Sequence, residues 1–146
     1  MKHVDVYVAA DSSFYDIHPK DRAVAYMLEF NGKAVADVLQ LSDTCGNEAA
    51  LRGLLAALNR LNAEVEVTVH VESTYLLSQI NTGNIYLWMD RKGLKGDMRP
   101  IRYKDTWMIV LTAIQMHCLE RIRADRNIPR EKLEKLKSCI EGQKGA

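Results

Sequence analysis

The chain has no run of 18 apolar residues among its 146, so no membrane-spanning helix is expected. The first ten residues hold only a short apolar stretch, interrupted by Asp5, and carry no secretory signal pattern. Cysteine is scarce. Cys45, Cys118 and Cys139 are the three, with neither the even count of a disulfide scaffold nor metal-ligand spacing. Reduced thiols and a cytoplasmic location are therefore expected. Net charge is also nearly absent, at +1 from 20 basic and 19 acidic side chains, and this total names no partner. There is no internal repeat and no linker-like stretch. An apolar fraction of 47% and a charged fraction of 27% are ordinary for a soluble globular chain. They exclude collagen-like and wholly disordered classes.

What is present is periodic. Val4, Val6 and Val8 alternate with Asp5 and Tyr7 as a strand ending near Asp11. Ala23 to Phe30 and Lys33 to Leu41 read as two strands joined at Asn31-Gly32, a strong hairpin signal. Thr44 is the expected cap of a helix over Gly46 to Asn62, with Leu51, Leu54, Leu55, Leu58 and Leu61 at helical spacing. Val65 to Val71 alternate again as a fourth strand. Ser73 suits the cap of a short helix to Ile80, and Asn84 to Asp90 suits another. Asp105 to His117 is a longer helix, Cys118 to Ala124 suits either strand or helix, and Pro129 opens a final helix, Arg130 to Ile140. A hairpin meander followed by a crossover helix gives a mixed α/β sheet covered by helices. The expected domain is 1–141, with a flexible tail at 142–146. Strands one and four, as parallel neighbours, would bring Asp11 and Glu72 to one sheet edge.

Glu48, in the first helical turn, lies three residues before Leu51. Three carboxylates from separate segments could converge there. Such a cluster repels itself unless a cation intervenes, and hard oxygens suit Mg²⁺ or Mn²⁺. Two such ions can activate water and stabilise the leaving oxygen of a phosphodiester. Six basic residues, Arg91, Lys92, Lys95, Arg99, Arg102 and Lys104, occupy fourteen positions with one acid, Asp97. Set near Trp88 and Trp107, they could grip phosphates in a salt-dependent way or form a solvated loop.

These segments together resemble the ribonuclease H family, over nearly the whole chain. Asp11-Ser12-Ser13 is similar to that family's strand-one Asp-Gly-Ser. Thr44 to Leu58 resembles the turn and helix bearing its catalytic Glu. Val71-Glu72-Ser73 resembles its strand-four Asp-Ser. Trp88, Arg91-Lys92-Gly93, Pro100, Asp105 and Trp107 resemble the basic handle and following helix of the bacterial enzymes, in the same order. The resemblance implies a five-stranded mixed sheet with helices on both faces and metal-dependent cleavage of the RNA strand of RNA–DNA hybrids. It assigns Asp11, Glu48 and Glu72 to Mg²⁺ or Mn²⁺. It makes Glu131, with Asp125 as the alternative, the fourth acid, and adds Ser12, Ser13 and Asn47 to the basic stretch as nucleic-acid contacts. Departures exist. Ser12 stands for Gly, Glu72 for Asp, and the His-rich loop before the fourth acid is short or missing. Aligning the later leucines puts Ala49 or Ala50 nearer the family's Glu position than Glu48. A nucleic-acid-binding module that keeps the fold with weakened catalysis is the alternative.

Overall fold

The computed structural model describes residues 1–144. Its elements run β1 (His3–Ala10), β2 (Lys20–Phe30), β3 (Lys33–Thr44), α1 (Gly46–Leu58), β4 (Glu66–Val71), α2 (Thr74–Asn81), α3 (Asn84–Asp90), α4 (Lys104–His117), β5 (Ile122–Asp125) and α5 (Arg130–Lys144). The sheet order is β3-β2-β1-β4-β5. β1, β2 and β3 pair antiparallel, while β4 runs parallel to both β1 and β5. The expected five-stranded α/β sheet is therefore present, and the ambiguous segment supplies its fifth strand.

Sequence chemistry explains the elements. Asn31 and Gly32 both take positive φ, 51° and 75°, the backbone that a two-residue turn matched to strand twist requires. The period-two pattern splits the sheet into two faces. Val4, Val6, Val8, Val24, Val67 and Val69 point into a core shared with Leu51, Leu54 and Leu58 of α1 and Trp107 and Ile114 of α4. Gly53 lets α1 come this close, since a Cβ there would sit 2.7 Å from a Val8 methyl. On the other face, Leu136 and Ile140 of α5 pack on Tyr7, Ala9, Ala23, Ala25 and Met27. Three alanines leave a shallow bed for that helix.

Several boundaries differ from expectation. Thr44 does not cap α1. It is the last residue of β3, and its hydroxyl donates to the Ser42 carbonyl. Cys45 holds the cap position without a side-chain cap bond, and the helix stops at Leu58. Ser73 does cap α2, accepting from the Leu76 N–H at 3.2 Å. The final helix runs past Ile140 through Lys144, because Ile140 is one of its buried anchors. The expected flexible tail 142–146 is thus helical through 144, and positions 145 and 146 lie outside the described residues.

The connection between β1 and β2 is fixed by one buried cation. Arg22 is 2% exposed. Its guanidinium donates to the carbonyls of Thr44 and His18 and to Ser12 Oγ (2.7 Å), and it pairs with Asp16 at 3.1 Å. Asp16 sits well below the usual carboxylate range, chiefly through the His18 backbone N–H, then the His18 ring, Lys20 and Arg22. Gly46 then docks α1 onto this loop. Its N–H donates to the Asp16 carbonyl at 2.8 Å, and a Cβ there would lie 2.4 Å from the Phe14 carbonyl oxygen. Arg22→Met should cost at least about 2 kcal/mol in urea unfolding, because it strands buried carbonyls at about 1–3 kcal/mol per group. A loss under half that would mean the loop holds itself.

Candidate functional site

Residues Val8 and Val71 are paired in the parallel register of β1 and β4, so both strands release the chain at one edge. Asp11 follows the first and Glu72 the second. Both residues line one open cavity of 440 Å³. Asp11 is tied to the Arg22 system through Ser12, whose hydroxyl lies 3.3 Å from Asp11 Oδ1, and its N–H donates to the Ala23 carbonyl. The cavity floor is apolar, from Phe14, Ile128, Leu133 and Ile140. Two further charged residues of α5, Lys137 and Glu141, reach the same cavity.

Glu48 is elsewhere. It lies on the side of α1 that meets α4, where Oε1 accepts from Thr106 Oγ1 at 3.4 Å and stands 3.6 Å from Arg52. Ala49 and Ala50 are fully buried. Among the described residues, no three His, Cys, Asp or Glu side chains are grouped to hold a metal ion. The converging triad that the sequence suggested is therefore not assembled; Asp11 and Glu72 come together and Glu48 stays apart. The physical reason is the register of α1. Burying Leu51, Leu54 and Leu58 against the sheet turns residue 48 toward α4 and puts alanines on the inward side.

The candidates for a fourth acid also lie outside this cavity. Glu131 is exposed in the first turn of α5 and acts on Tyr7. Burial first, then the charges of Asp5, Glu29 and Glu131, push the Tyr7 hydroxyl up to about 12. Asp125 caps its own turn, accepting from the Asn127 N–H at 2.9 Å. Sequence reasoning missed Lys137 and Glu141. Their signal was the i, i+4 progression Leu133, Lys137, Glu141, which one face of a helix longer than expected would carry.

The other proposed contacts spread over two regions. Ser13 is exposed beside the cavity, and its Oγ accepts from the Tyr15 N–H; Asn47 is half-buried in the first turn of α1. Residues 91–104 form a compact turn between α3 and α4, closed by a Leu94–Pro100 bridge and a 2.7 Å bond from the Lys95 N–H to the Arg99 carbonyl. Arg91, Lys92, Lys95, Arg99 and Arg102 are exposed and Lys104 is half-buried. Arg99 is paired with Asp97 at 2.9 Å. Trp107 is buried, with its Nε1–H donating to Tyr75 Oη; Trp88 meets it edge-on at 5.1 Å. Cys45 Sγ lies 2.9 Å from Tyr103 Oη.

Comparison with known proteins agrees with this architecture. The ribonuclease H of Mannheimia succiniciproducens is 31% identical over 77 residues, which is 53% of this chain and 48% of that protein. The chain spans between about half and two thirds of the length of the curated relatives it matches. No family model matches. Among solved structures, LC9-RNase H1, described as a type 1 RNase H with the type 2 active-site motif, superposes with a TM-score of 0.69 at 18% identity, over 99% of this chain and 74% of that one. LC11-RNase H1 in complex with RNA/DNA hybrid gives 0.64 at 15% identity, over 93% and 92%. The chain has the ribonuclease H fold. Its sequence is similar to those of bacterial ribonucleases H over about half of the chain.

The residues present do not fit the two-ion centre that the resemblance to ribonucleases H implies. Asp11 and Glu72 bring hard oxygens that suit at most one Mg²⁺ or Mn²⁺. Among the described residues, Glu141 lines the same cavity but is not grouped with them to hold an ion, and Lys137 brings a competing positive charge there. Calorimetric titration with Mn²⁺ should show no more than one ion per chain, lost in Asp11→Asn and retained in Glu48→Gln. Two ions, or a loss on changing Glu48, would overturn this assignment.

Proposed function

We propose that this protein is a nucleic-acid-binding domain of the ribonuclease H type, taking an RNA–DNA hybrid or related duplex, in which hydrolysis of the RNA strand is slow. The observation that carries this reading is that Asp11 and Glu72 line one cavity while, among the described residues, no third acid, Glu141 included, is grouped with them to hold a metal ion. The sheet edge of the fold is kept, while the acid set needed to hold two cations is incomplete. A divalent ion, when bound, would supply charge neutralisation and an activated water. Displacement of a reacting group by about 1 Å can cost about a hundredfold in rate, and here Glu72 carries an extra methylene and Glu48 is turned away.

Binding itself needs no metal in this reading. The exposed basic residues 91–102 supply phosphate contacts, and hybrid selection would follow groove shape and 2′-hydroxyl contacts. LC11-RNase H1, a neighbour in fold, has been solved in complex with an RNA/DNA hybrid. A cytoplasmic location goes with the same reading, in line with Cys45, Cys118 and Cys139 as free thiols. Among the described residues no helix is long and apolar enough to cross a membrane.

The test combines binding and cleavage of one labelled hybrid. Wild type should bind it, and replacing Arg91, Lys92 and Lys95 with Ala should flatten the log–log salt slope by close to three units, at about 0.9 per phosphate contact. With Mg²⁺ or Mn²⁺, cleavage should run at least about a hundredfold slower than by a ribonuclease H with four acids, and Asp11→Asn should remove it. Cleavage at the four-acid rate would restore the endonuclease reading. No binding would overturn the nucleic-acid reading as a whole.

A further inference from the structure

Three segments meet at the rim of the Asp11–Glu72 cavity: the β1–β2 loop, the start of α2 and the turn between β5 and α5. Each contributes one side chain to a single cluster. Tyr15 Oη and Thr74 Oγ1 share a hydrogen bond of 2.6 Å. The Arg126 guanidinium donates to Thr74 Oγ1 at 2.8 Å and to Tyr15 Oη at 3.4 Å. Tyr15 is itself part of the cavity wall and is 61% exposed. Its hydroxyl also lies 3.4 Å from the Glu72 carbonyl, so the cluster adjoins the backbone of one of the two acids.

The position of Arg126 is enforced from both sides. Asn81 closes a two-point clasp on Ala124, donating to its carbonyl at 2.8 Å and accepting from its N–H at 2.9 Å. This ties α2 to the outer edge of β5, two residues before Arg126. On the far side, the Asn127 N–H is held by Asp125 Oδ1, and the Asn127 carbonyl lies 2.9 Å from His70 Nδ1. The His70 ring is stacked on Tyr7 at 4.5 Å and bonded to Asp5 at 2.9 Å. A short turn braced at 124, 125 and 127 leaves residue 126 little freedom in where it projects.

The two hydroxyls that hold Arg126 are neutral. They orient the guanidinium without cancelling its charge, and a guanidinium has five N–H donors to share. An oriented Arg beside two hydroxyls matches the tetrahedral oxygens of a phosphodiester, which prefer charge-assisted and forked donors. The Tyr15 hydroxyl lies below its ordinary pKa, first through the Thr74 bond and then through Arg126, as expected of a phenol already polarised by donors. The cation also stands beside a cavity where three acids, Asp11, Glu72 and Glu141, outnumber Lys137, and so adds positive charge where a polyanion would meet a net negative surface.

We propose that Arg126, oriented by Tyr15 and Thr74, anchors one backbone phosphate of the bound strand at the rim of the Asp11–Glu72 cavity. This rests on the nucleic-acid reading above and names a second phosphate contact, separate from the basic segment 91–104. It is a binding role, and it assigns to the turn after β5 a cation that steers the strand across the acid pair.

The experiment measures hybrid affinity against salt for wild type, Arg126→Gln, Arg126→Lys and Tyr15→Phe, with unfolding curves run on each. Arg126→Gln should weaken binding severalfold and lower the log–log salt slope by about one unit. Arg126→Lys should keep the slope and lose part of the affinity, since an ammonium keeps the charge without the fork. Tyr15→Phe should keep the slope and weaken binding less. Combined with the triple Ala variant of the basic segment, Arg126→Gln should lower the slope by a further unit. If wild type binds and Arg126→Gln keeps both slope and affinity, the anchor is wrong and the nucleic-acid reading stands. If wild type binds no duplex, both fall. An affinity loss with no change in slope, matched by lower stability, would make the cluster a structural clasp and overturn the anchor.

Discussion

The buried guanidinium of Arg22 is the interaction on which the site end of this molecule depends. It sits on β2, yet its bonds go to Ser12, His18 and Asp16 in the loop after β1 and to Thr44 at the end of β3. The first set fixes the loop that follows Asp11. The second fixes the point from which α1 departs. Taking an Arg out of water is costly unless its donors are satisfied, and here carbonyls, a hydroxyl and a carboxylate satisfy it. Neutral residues of similar shape could not hold both loops at once.

Strand register and helix rotation explain why Asp11 and Glu72 share a cavity while Glu48 lies apart. Asp11 and Glu72 are placed by strand register, a property of the parallel β1–β4 pair. Glu48 is placed by the helix, and the helix is placed by its leucines and by two close approaches at Gly46 and Gly53. Once those fix the rotation of α1, residue 48 faces Thr106 and Arg52. The fold can therefore keep its edge geometry and lose a ligand from a neighbouring element without any change in the core.

Much of this was legible in the sequence. Alternating valines gave β1 and β4, Asn31-Gly32 gave the hairpin, and the order of elements gave the mixed sheet. The meeting of Asp11 and Glu72 followed from strand order alone. The outward turn of Glu48 did not, because choosing between residue 48 and the alanines after it depends on helix rotation, which is set by contacts with the sheet. The four-residue β5 was ambiguous because so short a run has no clear period. Arg22 was invisible as an anchor, since a lone Arg in a strand reads as a solvated charge. The α5 extension was hidden by Gly142, a poor helix former that tertiary packing through Ile140 outweighs.

The central claim is that duplex recognition here is carried by the protein's own cations and hydroxyls, with no assembled two-ion centre. It is tested most directly by measuring hybrid affinity for wild type in EDTA and in Mg²⁺ at matched ionic strength, with a cleavage-resistant hybrid. The account predicts values equal within about twofold, since a tenfold change would need about 1.4 kcal/mol of added metal-bridged contact. A tenfold or greater gain in Mg²⁺ would contradict it.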